Sequence, residues 1–532
     1  MNPSQAPVSY LTWIDYAIIC VYLLGTVAIG TWFHRRQKST EDYFVASRRM
    51  HWIPLALSIW SGLTSANSMI GGPGYTYAHD LQQIWIVFEA MVVYVIVIYL
   101  ILPILFPLKL TTAYTYLEMR FNLATRLLGS ALFILLRFSW LASVMYAPSK
   151  AMAAIVRLPL SEQWMQAWAG MGLDGSTAAW VLIIGLTTTL YATLGGMEGV
   201  IWTDFVQALV MMAGLVTILV MAINGLPEGV VTLYHSLAND SHGRLFDFSF
   251  DMQERNQVTF WLLLAYTITG RLNDSATDQV ALQRYFSAKS MKDCRGSLWL
   301  SGICDMVLMP LIYFLGAVLW VYFVYNPDPN LPLGAGGQVE ADQVFPYFVA
   351  KVLPVGLSGI FLAMILSATM SSVSAGINSL SAALVTDFYR RLIRPDRTDE
   401  ECTTAAKKTT IAWGVAATGV GLFLGWFEQI WQIAVVLMGF WTGPLLGIFF
   451  LGYFTKRANS RGALVGAACG LLSTVVWAFG HRLLEPFGWT FQGHGFMYGT
   501  VGMIPTLIVG YLVSLASGTE RSAAAGGAKS PA

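Results

Sequence analysis

The sequence predicts an all-α integral membrane protein with about thirteen transmembrane helices. Of its 532 residues, 56% are hydrophobic and only 11% are charged, whereas soluble proteins carry about 25% charged residues. Apolar stretches of the length that crosses a bilayer, about 20 residues, recur along most of the chain. Two of these stretches are nevertheless crowded with Ser, Thr, Asn and Gly. We therefore expect a membrane-embedded helical bundle with polar groups inside it.

Proline, glycine and charged residues mark the ends of the predicted spans. They define a single transmembrane unit over 10–517, between a short external tail at 1–9 and a polar, disordered cytoplasmic tail at 518–532. The thirteen spans are predicted at 10–33, 52–75, 83–106, 127–156, 178–195, 201–224, 258–282, 297–325, 355–388, 407–427, 430–455, 462–481 and 495–517.

Basic residues cluster after the odd-numbered spans, and cytoplasmic loops of membrane proteins carry an excess of Lys and Arg. The pattern predicts a multi-pass protein of the cell membrane with its N-terminus outside and its C-terminus in the cytoplasm. The residues on which this orientation depends include Arg35, Arg36, Lys109, Arg120, Arg126, Arg284, Lys289, Arg390, Arg391, Lys456 and Arg457.

Several classes of function are disfavoured by the composition. The net charge is +1, and no basic run is interleaved with aromatic residues, so no nucleic-acid partner is expected. The five cysteines form no CxxC or Cys/His spacing, so neither a disulfide framework nor a transition-metal site is predicted. Walker A, HExxH and GxSxG motifs are missing from the sequence. We expect a protein that is not an enzyme and has no cofactor.

The first polar stretch, Ser58–Tyr75, lies within the second span. Gly62 and the run at 71–74, GGPG, make an uninterrupted helix improbable there. A broken helix frees backbone carbonyls near Ser61 and Thr64, and these need a partner because a bilayer core holds no water.

The second polar stretch, Leu366–Tyr389, lies within the ninth span. Ala368, Ser371 and Ser372 fall at i, i+3 and i+4, on one face of a helix. Small residues of this kind also let membrane helices pack closely, which is the alternative interpretation. Because both stretches offer oxygens that can replace the water shell of a sodium ion, we predict sodium-coupled solute transport.

Charged residues inside other spans are further candidates. Asp204, in the sixth span, either neutralises a cation or anchors the span at the interface. Arg271, Asn273 and Asp274 interrupt the seventh span. They form either a hydrated loop end or a second broken helix whose freed groups meet the solute.

The chain resembles the sodium:solute symporter family from about Ile14 to Tyr511. The resemblance depends on an ordered set of motifs rather than on one of them. These are TEDYFVASRRM (Thr40–Met50), SIWSGLTSANSMIGGPGY (Ser58–Tyr75), LKLTTAYTYLEMRF (Leu108–Phe121), LGGMEGVIWTDFVQ (Leu194–Gln207), VALQRYFSAKS (Val280–Ser290), ATMSSVSAGINS (Ala368–Ser379) and GPLLGIFFLGYFTKRANSRGALVG (Gly443–Gly466).

The resemblance implies a LeuT-like core of two inverted five-helix repeats, here about 52–224 and 258–455. It implies a sodium site made of three backbone carbonyls and two hydroxyls, from Ser61, Thr64, Ala368, Ser371 and Ser372. It also implies a possible second sodium site at Asp204 and Ser374, with Ser371, although Ala375 stands where other members have a hydroxyl.

The solute pocket departs from the family pattern. Where sialic-acid members have a carboxylate-binding arginine, this chain has Trp140, and its own arginine lies one turn earlier at Arg137. We expect a small organic solute, which is an organic anion, an amino acid or a sugar-like molecule, and the departures from the family pattern favour the first two over a typical hexose. It is held by Arg137 or Arg271 with Thr64, Ser65 and Ser68, beside Trp140, Asn273 and Asp274.

Two other classes remain open. The first is a proton-coupled carrier of the same fold, with Asp204, Asp274 or Glu89 exchanging protons. The second is a solute-sensing membrane protein, which would normally need a fused signalling domain. The expected partners are the solute, sodium and the lipid bilayer, and the expected state is a monomer or a weak oligomer.

Overall fold

The described part of the computed structural model is entirely helical apart from its connections. It comprises residues 11–156, 158–250, 259–334, 337–424, 430–483, 485–488 and 493–518. Within these ranges the chain forms twenty α-helices and no β-strand, which confirms the all-α prediction. The predicted tails, 1–9 and 518–532, lie outside the described residues except for Gly518.

The helices vary from single turns to 50 residues. In chain order they are α1 (Trp13–Trp32), α2 (Thr40–Val45), α3 (Trp52–Leu63), α4 (Ala66–Ala78), α5 (Ile86–Ile96), α6 (Leu102–Leu105), α7 (Tyr114–Arg120), α8 (Leu123–Ile155), α9 (Glu162–Gly170), α10 (Gly175–Asn224), α11 (Val230–Ala238), α12 (Phe260–Ala276), α13 (Gln279–Ser287), α14 (Met291–Tyr325), α15 (Ala341–Val352), α16 (Leu357–Ala383), α17 (Asp399–Phe423), α18 (Ile430–Phe454), α19 (Ser460–Leu483) and α20 (Tyr498–Ala516).

Eight helical stretches of the described residues are long and apolar enough to cross a membrane. One of them, α10, would be about 75 Å long if straight, more than twice the thickness of a bilayer core. Gly196 divides it, with a φ of 54° and a ψ of −157° that are not helical. The predicted spans 178–195 and 201–224 fall on the two sides of this glycine. The total of thirteen spans stays a prediction.

The second and seventh predicted spans are each interrupted. Between α3 and α4 the backbone is extended at Thr64 and Ser65, and between α12 and α13 it leaves the helix at Thr277 and Asp278. The Asp278 side chain accepts a hydrogen bond from the Val280 amide at 2.8 Å and so caps the second half. Both interruptions expose backbone groups inside the protein.

Of the glycines that suggested the first interruption, Gly62 lies two residues before Thr64, whereas the run at 71–74 lies after the break. Gly71–Gly74 and Pro73 are inside α4. A Cβ built on Gly72 would lie 3.2 Å from the Tyr313 ring, and one on Gly74 would lie 2.3 Å from the Asp342 carboxylate. Gly72 and Gly74 therefore allow close packing against α14 and α15, while the chain breaks earlier, at Thr64 and Ser65.

Two arginines assigned to cytoplasmic loops are buried. Arg126 lies in α8 and donates to Asp387 at 2.6 Å, and Arg284 lies in α13 and pairs with Asp204 at 2.8 Å. These two residues lie in helices rather than in loops, because α8 begins before the predicted fourth span and the chain becomes helical again after the break in the seventh. The orientation of the chain in the membrane stays a prediction.

The centre of the bundle is α16, whose residues are all buried except Leu357 and Ile360. Helices α1, α3, α8, α10 and α17 pack around it. Its N-terminus is held by Asp15 of α1, whose Oδ1 accepts hydrogen bonds from the amides of Gly356 at 2.9 Å and Gly359 at 2.8 Å. The first span is thereby attached to the central helix.

We predict that Asp15→Ala destabilises the protein by about 2–5 kcal/mol, since two amides at the α16 N-terminus lose their acceptor. The measurement is the thermal unfolding midpoint of the purified protein in detergent. Asp240→Ala is the control, because Asp240 caps a turn in an exposed loop. Equal midpoints for the two variants would contradict the role given to Asp15.

Candidate functional site

The five oxygen-bearing residues predicted from the two polar stretches meet in the structure. The Ser371 hydroxyl donates to the Ser61 carbonyl at 3.0 Å and lies 3.2 Å from the Ala368 carbonyl. The Ser372 hydroxyl lies 3.4 Å from the Thr64 carbonyl. All five residues are fully buried. The interruption of the second span and the central helix α16 therefore share one cluster of oxygens.

This cluster, formed by Ser61, Thr64, Ala368, Ser371 and Ser372, is called the oxygen cluster below. The carbonyls at the end of α3 lack the amide partners of a continuing helix. The Thr64 hydroxyl is buried without a hydrogen-bond partner among the described residues. Carbonyl and hydroxyl oxygens arranged in this way suit a small monovalent cation such as sodium, because they can replace its hydration shell.

Asp204 lies beside the oxygen cluster and is fully buried. Its Oδ2 accepts hydrogen bonds from the Ser58 hydroxyl at 2.6 Å and from Arg284 Nη2 at 2.8 Å. Its backbone carbonyl lies 3.3 Å from the Ser61 hydroxyl. Asp204 therefore lies in the protein interior, where it is paired with a cation of the chain itself.

Arg284 is a residue of this site that sequence reasoning missed. A carboxylate within a membrane helix needs a positive partner, so Asp204 itself was a signal that such a partner existed. The second sodium site at Asp204 and Ser374 stays a prediction. The Ser374 hydroxyl lies 3.0 Å from the Ser371 carbonyl, and Asp204 Oδ1 has no hydrogen-bond partner within the described ranges.

One face of α8 contacts both interrupted spans. Arg137, Trp140 and Ser143 follow each other at steps of three residues along this face. The Arg137 guanidinium lies over the Trp140 ring, 4.8 Å from its centroid. The Ser143 hydroxyl accepts a hydrogen bond from Asn67 Nδ2, near the start of α4, at 3.0 Å.

Arg137 reaches the second interruption at the other end of this face. Its Nε donates to Asp278 Oδ2 at 2.6 Å, and its Nη2 lies 3.5 Å from Asp274 Oδ1. The arginine and Asp278 are buried, whereas 37% of the Asp274 side chain is exposed. The site thus combines one arginine with two carboxylates, an indole ring, a hydroxyl and an amide.

Two further residues predicted for the solute pocket, Arg271 and Asn273, have structural partners. Arg271 pairs with Asp305 at 3.3 Å, and Asp305 also accepts from the Tyr94 hydroxyl. Asn273 Oδ1 accepts from the Thr277 hydroxyl at the end of α12. Ser65 directly precedes α4, and Ser68 is half-buried in its first turn. Nothing is described for the Glu89 side chain.

Comparison with known proteins gives a consistent result. The model of the sodium:solute symporter family matches residues 43–470. The chain is 27% identical to the sodium/sialic acid symporter SiaT of Proteus mirabilis, over 94% of this chain and 95% of that protein. It is 29% identical to human sodium-coupled monocarboxylate transporter 1, over 90% of this chain and 75% of that one.

Solved structures agree with the sequence comparisons. The substrate-bound outward-open structure of a Na⁺-coupled sialic acid symporter superposes with a TM-score of 0.83 and 26% identity, covering 95% of this chain and 98% of the other. Mhp1, a nucleobase-cation-symport-1 family transporter, superposes with a TM-score of 0.53 and 15% identity, covering 90% and 96%. The latter likeness concerns the fold alone and agrees with the expected LeuT-like core.

We predict that Arg284→Gln destabilises the protein by about 3–5 kcal/mol, because it leaves the Asp204 carboxylate buried without its cation. The double variant Asp204→Asn/Arg284→Gln should lose less stability than the single variant Arg284→Gln. Thermal unfolding midpoints in detergent measure both.

Arg36→Gln is the matched control, since Arg36 forms an ion pair with Glu198 but is 56% exposed. Its loss should cost at most about 1 kcal/mol. A double variant as unstable as the sum of its two single variants would show that Asp204 and Arg284 are not coupled.

Proposed function

Because this chain belongs to the sodium:solute symporter family, we propose that it brings a small carboxylate-bearing solute into the cell together with sodium. Sodium-coupled symport of a small solute is the activity of the family and of the similar proteins. Beyond this shared activity, we propose which residues bind sodium, which class of solute is carried and how the chain is oriented in the membrane.

The observation that carries the proposal is the oxygen cluster. In the proposed outward-facing state, sodium takes the place of the hydrogen bonds from Ser371 and Ser372 to the carbonyls of Ser61 and Thr64. Each hydroxyl can rotate to present a lone pair instead of its proton. The ion then bridges the interruption after α3 to α16, and the Ala368 carbonyl contributes a fifth oxygen.

Sodium binding can drive accumulation only if it favours one state of the transporter. Bridging α3 and α16 stabilises the arrangement in which the solute site beside α4 is complete, and alternating access then exposes both sites to the cytoplasm. A membrane potential of 100 mV supplies about 2.3 kcal/mol per sodium ion, or about fifty-fold accumulation before the sodium gradient is counted. We assign the basic loops to the cytoplasm, which places the N-terminus outside.

The proposed solute class follows from Arg137 and from the relatives. Sialic acid and monocarboxylates, which the relatives are named for, both carry a carboxylate. Arg137 is a buried cation that touches the second interruption, and its face of α8 also reaches the first. We infer that the solute carboxylate binds Arg137, with Trp140, Ser65 and Ser68 around it.

We predict that Ser372→Ala raises the sodium concentration for half-maximal uptake at least tenfold, because the site loses one of five oxygens, worth about 1.5–3 kcal/mol when it binds a charge. Uptake of labelled solutes into proteoliposomes measures this. Ser379→Ala is the control, since that hydroxyl is equally buried in α16 but bonds within its own helix to Gly376.

If the sodium concentration for half-maximal uptake is unchanged in Ser372→Ala, the coupling ion does not bind in the oxygen cluster. The proton-coupled alternative has its own signature. It predicts that a pH gradient in sodium-free buffer drives uptake at the rate seen with a sodium gradient. This result would show proton symport instead of sodium symport.

A further inference from the structure

Among the described residues, the charges that Arg137 contacts at the second interruption do not balance. Arg137 faces the carboxylates of both Asp274 and Asp278, while Arg271 and Asp305 pair with each other. The group of three therefore carries one excess negative charge. The two carboxylates differ in burial, and this difference shows which of them is accessible to water.

Asp278 has a structural role. It is fully buried, receives the strongest contacts of Arg137 and caps α13 by accepting from the Val280 amide. Asp274 is placed differently, because it is 3.5 Å from the same guanidinium and 37% of its side chain is exposed. A carboxylate beside a buried arginine at this position borders a water-accessible space rather than lipid.

Asp274 and Asn67 each have a glycine one turn away on the same face of their helix, and open space lies next to both glycines. Gly270 precedes Asp274 by one turn of α12, and Gly71 follows Asn67 by one turn of α4. A Cβ built on either glycine would meet no described atom within 4 Å. Asn67 Oδ1 is buried without a hydrogen-bond partner among the described residues, so the site offers one acceptor that is not yet used.

We propose that the transported solute is a zwitterion, with an ammonium group that binds Asp274 and a carboxylate that binds Arg137. This inference depends on the sodium symport and on the solute site proposed above. A plain monocarboxylate would add a second negative charge beside Asp274 and Asp278. An amino acid adds none, and with one sodium ion in the oxygen cluster the loaded site is neutral overall.

The test uses matched pairs of labelled solutes that differ by one ammonium group. The pairs are L-alanine and propionate, L-leucine and 4-methylpentanoate, γ-aminobutyrate and butyrate, and L-glutamate and glutarate. Wild-type protein in liposomes with an inward sodium gradient should take up the amino member of one pair at least tenfold faster than its deaminated partner. A potassium gradient provides the blank.

The variant Asp274→Asn should then lower uptake of that amino acid at least tenfold, mainly by raising KM. The sodium concentration for half-maximal binding, followed by sodium-dependent thermal stabilisation, should change less than twofold. Asp274→Glu keeps the charge and should retain much of the uptake, which distinguishes an ammonium contact from a packing defect. Asp240→Asn, in an exposed loop, is the control.

Other outcomes overturn the inference in distinguishable ways. Sodium-driven uptake of the deaminated acid, equal in wild type and in Asp274→Asn, refutes the zwitterion and leaves sodium symport in place. Sodium-driven uptake of no member of the panel also refutes it. In that case, if sodium does not stabilise the protein against thermal unfolding, the oxygen cluster is not a sodium site either. If sodium stabilises the protein normally, the proposed sodium site stands.

Discussion

A backbone carbonyl inside a membrane protein needs a partner, because no water is available to it. The interruption between α3 and α4 creates such carbonyls at Ser61 and Thr64. In the structure, hydroxyls of α16 approach both of them. In the proposed sodium site, the ion replaces these hydrogen bonds and the hydroxyls remain as its ligands. In this proposal, an interruption that would destabilise an ordinary membrane helix becomes a site that an ion can occupy and leave.

The same constraint governs the buried charges. Asp204 next to the oxygen cluster is paired with Arg284, and Arg137 at the second interruption is paired with Asp278. Each pair joins residues more than 75 positions apart in sequence. Since removing one partner leaves an uncompensated charge in a low-dielectric interior, these pairs hold α8 and α10 to α13 and to the interruption that precedes it.

The sequence carried enough information for the oxygen cluster and less for the charges. Ser371 and Ser372 could be predicted because helical periodicity places them on one face, and the family resemblance supplied their carbonyl partners. The interruption near Ser61 and Thr64 was predicted as well, although part of its basis was wrong, since Gly72 and Gly74 lie inside α4 and pack against α14 and α15. Arg284 was placed in a loop because hydropathy cannot show that a chain becomes helical again after a break. Long-range pairing is a property of the fold rather than of any local pattern.

The two proposed sites share one short segment of chain. Thr64 contributes a carbonyl to the oxygen cluster, and Asn67, three residues later, bonds to Ser143 on the α8 face that carries Arg137. An ion that fixes Thr64 therefore also fixes the first turn of α4, and with it one wall of the solute site. Coupling between two binding sites is reciprocal, so the solute must in turn hold the ion. A symporter needs this mutual dependence, and three residues of extended and helical backbone are short enough to transmit it.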